Sequence, residues 1–170
     1  PVCKAAVCGV GSCTAPYDDC DKDSANGCES NTDTSIAHCG NCGTACPARA
    51  NAEPSCTAGV CKPKCLGKYG DCDAKEANGC EVDLNTDPLN CNGCGIKCPK
   101  TNGVAGCQLG ECQITCNFGF INCNNKVVDG CEVDILNDPN NCNGCGLICD
   151  AVVGAQPTCT GGSCGFSCNA

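Results

Sequence analysis

Two sets of residues in this chain could do chemistry, and the first is made of oxygen ligands. Asp19, Asp21 and Asp23 alternate ahead of Asn26-Gly27 and Glu29, and Asp71, Asp73, Asn78 and Glu81 repeat much of that spacing. Oxygen donors at alternate positions before a glycine turn suit a hard cation such as calcium, which takes six to eight of them. The same residues equally suit Asx turns, in which a carboxylate accepts hydrogen bonds from nearby backbone N–H groups. A third stretch, Asn122, Asn124, Asp129 and Glu132, keeps the slots with fewer charges.

The second set is sulfur. Cys39, Cys42 and Cys46 are spaced Cys-x2-Cys-x3-Cys, which superficially resembles zinc or iron–sulfur ligation. Metal storage would favour Cys-Cys and Cys-x-Cys clusters, which are absent, and His38 is the single histidine able to share ligation. Disulfides are therefore expected. No Gly-x-Ser-x-Gly motif marks a nucleophile, and the slot of His38 holds Asn90 and Asn141 in the other copies, as a turn residue would. Carboxylate pairs recur without any copy being set apart, so a non-enzymatic chain is expected.

What must position these groups is a tandem repeat. The cysteines fall into three sets of eight. The first is Cys3, Cys8, Cys13, Cys20, Cys28, Cys39, Cys42 and Cys46. The second is Cys56, Cys61, Cys65, Cys72, Cys80, Cys91, Cys94 and Cys98. The third is Cys107, Cys112, Cys116, Cys123, Cys131, Cys142, Cys145 and Cys149, after which Cys159, Cys164 and Cys168 begin a fourth. The last five steps of every complete set are 7, 8, 11, 3 and 4 residues. Spacing varies only between the second and third cysteines and in the spacers, so the rest is expected to be locked by bridges. This divides the chain into repeats over 1–52, 53–104 and 105–155, with an incomplete copy over 156–170. Eight cysteines allow on the order of a hundred pairings, and connectivity stays open.

Other positions keep the same register. Asn26-Gly27, Asn78-Gly79 and Asp129-Gly130 precede the fifth cysteine and are expected at hairpin tips. Tyr17, Tyr69 and Phe120 stand three residues before the fourth cysteine, as small plugs over the local bridges. Glycine-rich knuckles at 39–43, 91–95 and 142–146 should reverse the chain. Alternation in Glu81-Val82-Asp83-Leu84 and Glu132-Val133-Asp134-Ile135 predicts short strands. Spacers at 47–55, 99–106 and 150–158 read as loops. No window has sustained helical periodicity. The fold class is thus small and disulfide-rich: a tandem-repeat rod of about three modules with short β-hairpins and little or no helix.

Composition agrees. Of 170 residues 27 are cysteine, Met and Trp are absent, and five are aromatic. So few large side chains cannot offset a backbone entropy cost of about 1–2 kcal/mol per residue. Disulfides, each contributing about 2–4 kcal/mol, must supply the difference, and they persist in oxidising compartments, so a secreted or extracellular location is expected. The net charge of −9 gives no basic stripe for nucleic acid, and no apolar run would insert in a membrane. No signal peptide is visible, implying a removed leader or a longer parent chain. There is no Asn-x-Ser/Thr sequon; Thr14, Ser55, Thr57, Thr101, Thr158 and Thr160 are O-glycosylation candidates in or near the spacers.

The stretch Asp83-Leu84-Asn85-Thr86-Asp87-Pro88-Leu89-Asn90-Cys91-Asn92-Gly93-Cys94-Gly95-Ile96-Lys97-Cys98-Pro99 resembles the C-terminal signature of the stigma-specific cysteine-rich proteins of plants. Similar segments recur in tandem arrays of bacterial and protist surface proteins. Residues 134–149 match nearly as well, and 33–47 match in their cysteines. The resemblance implies a secreted, non-catalytic, disulfide-rich module and supplies no catalytic residues.

The expected function is therefore a structural block of an extracellular filament, stalk or adhesive coat. Its partners would be itself, head-to-tail or laterally, or other matrix components. The odd cysteine count leaves at least one thiol unpaired within the chain, which fits a bond to a neighbour or a continuing chain. The alternative is a secreted binding or adhesion module for a glycan, a receptor or a calcium-bridged partner. Its distinguishing residues would be Phe118, Phe120 and Ile121, close together in the third repeat. No cofactor is expected on the structural reading; calcium is the one candidate.

Overall fold

A computed structural model describes residues 11–23 and 25–168 in full, and residues 2–4 and 7–9 as backbone. Among the described residues there is no α-helix; a single 3-10 turn spans Val127–Asp129. The rest is short strands, each in a two-stranded sheet, as expected of a small disulfide-rich fold. The chain divides into two compact units, Pro1–Val82 and Asp83–Ala170. No described helix is long and apolar enough to cross a membrane.

In the first unit β1 (Val2–Lys4) pairs with β2 (Val7–Gly9), and β3 (Tyr17–Asp18) with β4 (Ser30–Asn31). A longer hairpin follows, β5 (Ala52–Thr57) with β6 (Val60–Cys65), and then the short β7 (Tyr69–Gly70). The strand β8 (Val82–Asp83) falls at the division. The second unit has β9 (Gly103–Gln108) paired with β10 (Glu111–Cys116), β11 (Phe120–Ile121) with β12 (Val133–Asp134), and β13 (Ala155–Thr160) with β14 (Ser163–Cys168). The alternation at 81–84 and 132–135 does yield strands, β8 and β12.

The hairpin tips are not where Asn-Gly pairs suggest. Gly27, Gly79 and Gly130 do have positive φ, but they turn the chain inside the 19–29, 71–81 and 122–132 loops. The tight two-residue tips are Ala58-Gly59, Leu109-Gly110 and Gly161-Gly162, with φ of +50 and +73, +53 and +79, and +57 and +75. Positive φ at both central residues is the type I′ turn, whose twist matches that of the flanking strands. The spacers are correspondingly not all loop, since β5, β9 and β13 begin within them and carry the first cysteine of the next set.

The core is sulfur. Among the described residues every buried side chain belongs to cysteine, with Cys80, Cys91 and Cys131 the most enclosed. Tyr17 is not the expected plug, being exposed, as is Phe118; Tyr69 and Phe120 are half-buried. Lys68 Nζ stands 5.2 Å over the Tyr69 ring, on the solvent side of the fold.

Among the described residues twenty-four cysteines are bonded, in twelve disulfides. Third cysteines bond fifth ones (Cys13–Cys28, Cys65–Cys80, Cys116–Cys131), and fourth bond seventh (Cys20–Cys42, Cys123–Cys145). Cys72 and Cys94 are also disulfide-bonded. Sixth cysteines bond the first of the next set (Cys39–Cys56, Cys91–Cys107, Cys142–Cys159). Eighth bond the second of the next set (Cys46–Cys61, Cys98–Cys112, Cys149–Cys164). The last two classes cross the sequence divisions at 52/53, 104/105 and 155/156, so successive repeats are covalently laced. Cys168 is a free, exposed thiol rather than part of the framework. The side chains of Cys3 and Cys8 lie outside the described residues, although their backbones face each other across β1 and β2.

Candidate functional site

Each long hairpin places two cysteines directly opposite: Cys56 and Cys61, Cys107 and Cys112, Cys159 and Cys164. They do not bond each other. Each reaches back to the preceding knuckle, so Cys39, Cys46 and Cys56 cluster in the first unit and Cys142, Cys149 and Cys159 in the second. Sulfurs of Cys91, Cys98 and Cys112 approach within 4.8 Å in the same way. These sulfurs are already bonded in pairs and are not thiolates, so the zinc-like spacing is the spacing of stacked disulfides.

The knuckle and the hairpin tip are both held to the residues that directly follow β4, β8 and β12, by backbone bonds that recur in each copy. Gly40, Asn92 and Asn143 donate their N–H to Thr32, Leu84 and Ile135 O, each at 2.8 Å. The tip glycines Gly59, Gly110 and Gly162 donate to Asp33, Asn85 and Leu136 O at 3.3, 3.3 and 3.1 Å. A methyl group on Gly40 would meet Gly59 O at 2.6 Å, so this contact needs glycine in the first copy. His38 keeps the role of its counterparts. Its Nδ1 accepts from Gly43 N–H at 3.0 Å, as Asn90 Oδ1 does from Gly95 and Asn141 Oδ1 from Gly146.

The acidic loops are built on the third-to-fifth bridge. Glu29, Glu81 and Glu132, directly after the fifth cysteine, accept the N–H of Cys20, Cys72 and Cys123 at 2.9, 3.0 and 2.9 Å. Asp21 accepts from Asp23 N–H and from the Asn26 amide, both at 2.8 Å. Asp23 caps Ala25 N–H. Asp73 accepts from Lys75 N–H, Lys75 Nζ and the Asn78 amide. These are Asx turns, in which Asn26 and Asn78 turn amide nitrogen toward Asp21 and Asp73. Lys75 further places an ammonium on the second set.

Hydrogen bonding sets the acidity here. The Asp23 N–H holds Asp21 below the usual carboxylate range, helped by Asn26, and the backbone N–H of Glu29 itself does the same for Glu29, helped by Cys20. The Lys75 ammonium lowers Asp73 and is itself raised by it.

Asp19, Asp21 and Glu29 do come together, with ligand oxygens within 4.8 Å of one another and no ion among them. One signal was invisible in the spacing. Asp19 Oδ1, Asp71 Oδ1 and Asn122 Oδ1, in the same slot of successive copies, are shielded from solvent without a hydrogen-bond partner. An oxygen so placed costs about 1–3 kcal/mol unless water or a cation satisfies it.

Two open grooves lie beside the cross-boundary bridges. One, of about 300 Å³ in the first unit, runs past Pro47, Arg49, Pro54, Pro63 and Glu76. The other, of about 820 Å³ in the second, runs past Leu89, Lys97, Pro99, Lys100 and Val104. Compared with known proteins, the chain matches no family model, no curated protein and no solved structure.

Proposed function

We propose that this chain is a non-enzymatic structural block of an extracellular filament, stalk or adhesive coat. The observation that carries this reading is the lacing: in each copy two disulfides cross into the next, so a cut spacer cannot release a repeat. A chain stabilised by covalent bonds rather than by an apolar core suits an exposed, protease-rich and oxidising surface. Labelling the surface of the native source with antibody, together with microscopy of the oxidised protein, tests it. Ordered particles and surface label are the expected results; a compact monomer at all concentrations with no surface label would sink it.

A second reading, a secreted binding or adhesion module, is favoured by Phe118. It is 91% exposed in the third copy, where the corresponding residues are the small Ala15 and Gly67. Burying an exposed aromatic on a partner is a frequent source of binding energy. Phe118→Ala should abolish capture of a glycan or receptor while leaving the disulfides formed; unchanged capture would count against the reading. The calcium-bridged form rests on the unpartnered Asp19 Oδ1 beside Asp21 and Glu29. Isothermal titration with calcium should give heat that Asp19→Asn removes, and no heat would exclude that form.

A further inference from the structure

We propose that the outer edge of β9, beside the groove of the second unit, is a docking site for an extended acidic peptide segment of another protein, which adds to the β9–β10 sheet as a further strand.

The edge is open by register. Just before β9, Asn102 O accepts from Asn117 N–H at 2.9 Å, and ladder bonds in an antiparallel pair fall on alternate residues. Val104 and Gly106 therefore bond across to β10, whereas Gly103, Ala105 and Cys107 turn their N–H and C=O groups outward. Lys100 O takes the Gly103 N–H at 3.1 Å; the outward N–H of Ala105 has no partner among the described residues. Gly103, Val104 and Ala105 all line the groove. Successive side chains of a strand point to opposite faces, so a groove touched by consecutive residues opens on the strand's edge.

The other copies close this edge with proline. Ala105 lies two residues before Cys107, where β5 has Pro54 before Cys56 and β13 has Pro157 before Cys159. Proline has no N–H to offer, and it guards exposed edges against strand addition. β9 lacks it.

The groove wall also departs from its counterparts. Leu89 stands in the slot of Ala37 and Asn140, and Val104 in that of Glu53 and Gln156. Lys97 replaces Ala45 and Ile148, and Lys100 replaces Ala48 and Ala151. Leu89 is 59% and Val104 66% exposed. The two charged residues of the wall are both cations, in a chain of net charge −9. Among the described residues neither Lys97 nor Lys100 is ion-paired.

These features describe the occupant. An open edge donor calls for an extended peptide, whose backbone bonds give affinity and whose alternate side chains give selectivity. Its carboxylates answer Lys97 and Lys100, and its apolar side chains answer Leu89 and Val104. A second copy presenting the same edge would set its Lys97 and Lys100 against those of the first, so repulsion disfavours self-pairing. The site uses neither Phe118 nor the acidic loops. It goes beyond the coat reading, and the failure of either would leave the other standing.

The test is titration of the oxidised chain into a dye-labelled, capped peptide of alternating glutamate and valine, read by fluorescence anisotropy and by backbone hydrogen exchange. Saturable binding is expected, with protection appearing at the Ala105 N–H. Ala105→Pro introduces the residue that the other copies carry, so the hairpin should form while binding falls about tenfold or more. Lys97→Glu combined with Lys100→Glu should weaken binding by a similar factor, and a lysine–valine peptide should not bind. Intact mass should show the same number of disulfides in every variant. No binding of the acidic peptide would overturn the proposal. So would unchanged binding by Ala105→Pro, or equal binding of an acidic oligosaccharide, which cannot form a strand.

Discussion

Cys46 is bonded to Cys61 with their Cα atoms 5.3 Å apart, closing a loop that contains the exposed Arg49. The Cys39–Cys56 bridge spans the same spacer a second time. An arginine-specific protease, cleaving after Arg49, the single arginine of the chain, should therefore add the mass of one water and release nothing. On reduction the two pieces should separate. Release of a fragment from the oxidised chain would show that the cross-boundary bridges are absent.

The tip of the second long hairpin is strained at one residue. Leu109 has φ +53 and is 81% exposed, so no packing offsets a conformation that disfavours an L side chain by about 1–2 kcal/mol. Leu109→Asn, giving the preferred Asn-Gly pair, should stabilise the hairpin by about 1 kcal/mol. Gly110→Ala should destabilise it by about the same amount. A methyl group there would find only ordinary contacts, to Asn85 Oδ1 at 3.4 Å and Asn92 Oδ1 at 3.5 Å, so the cost is the backbone at φ +79. Denaturant midpoints with the disulfides intact would measure both, and opposite signs are required.

The same residues explain what the sequence did and did not disclose. Cysteine spacing disclosed the repeat, because bridges tolerate no insertion between the groups they fix. Alternation disclosed β8 and β12. The long hairpins were hidden, since Ala58-Gly59 and Leu109-Gly110 are poor type I′ signals and Pro54 and Pro63 interrupt the β5–β6 strands. Those strands are held in register by Cys56 and Cys61 bonding backward to Cys39 and Cys46, a tertiary constraint that local propensity does not carry. Tyr17 reads as a plug because a core is expected to be apolar carbon; here it is exposed and cysteine fills the core. The acidic loops had the opposite ambiguity. Their spacing fits a cation and an Asx turn equally, and only the hydrogen bonds separate Asp21, an acceptor, from Asn26, a donor.

His38 replaces an asparagine without changing the knuckle, since its Nδ1 accepts the Gly43 N–H as Asn90 Oδ1 accepts that of Gly95. His38→Asn should leave stability unchanged within about 0.5 kcal/mol. His38→Ala removes the acceptor and should cost about 0.5–1.5 kcal/mol. Hydrogen exchange at Gly43 is the direct readout. Protection should survive the first substitution and fall in the second; equal loss in both would mean that ring packing, not the hydrogen bond, holds the turn.

Acid should loosen the second unit's turns before it disturbs the fold. The Asn90 side-chain amide donates to Asp87 at 2.8 Å and the Asn141 amide to Asp138 at 2.7 Å, holding both carboxyls below the usual range, with the Leu89 and Asn140 N–H groups adding to the effect. Asp134 is lowered in the same way, first by the Asn137 amide and then by the Leu136 N–H. A carboxyl depressed in the folded state adds stability above its unfolded value, near pH 4, and that contribution fades as pH falls through the lower folded value. The turns at 87–90 and 138–141 should therefore stay protected down to about pH 4 and open below it, while the bridges hold the backbone together. Carboxyl chemical shifts of Asp87 and Asp138, followed from about pH 5 to about pH 2, would give both midpoints. Midpoints at or above the value for a free aspartate would mean that the amide clamps contribute nothing to these turns.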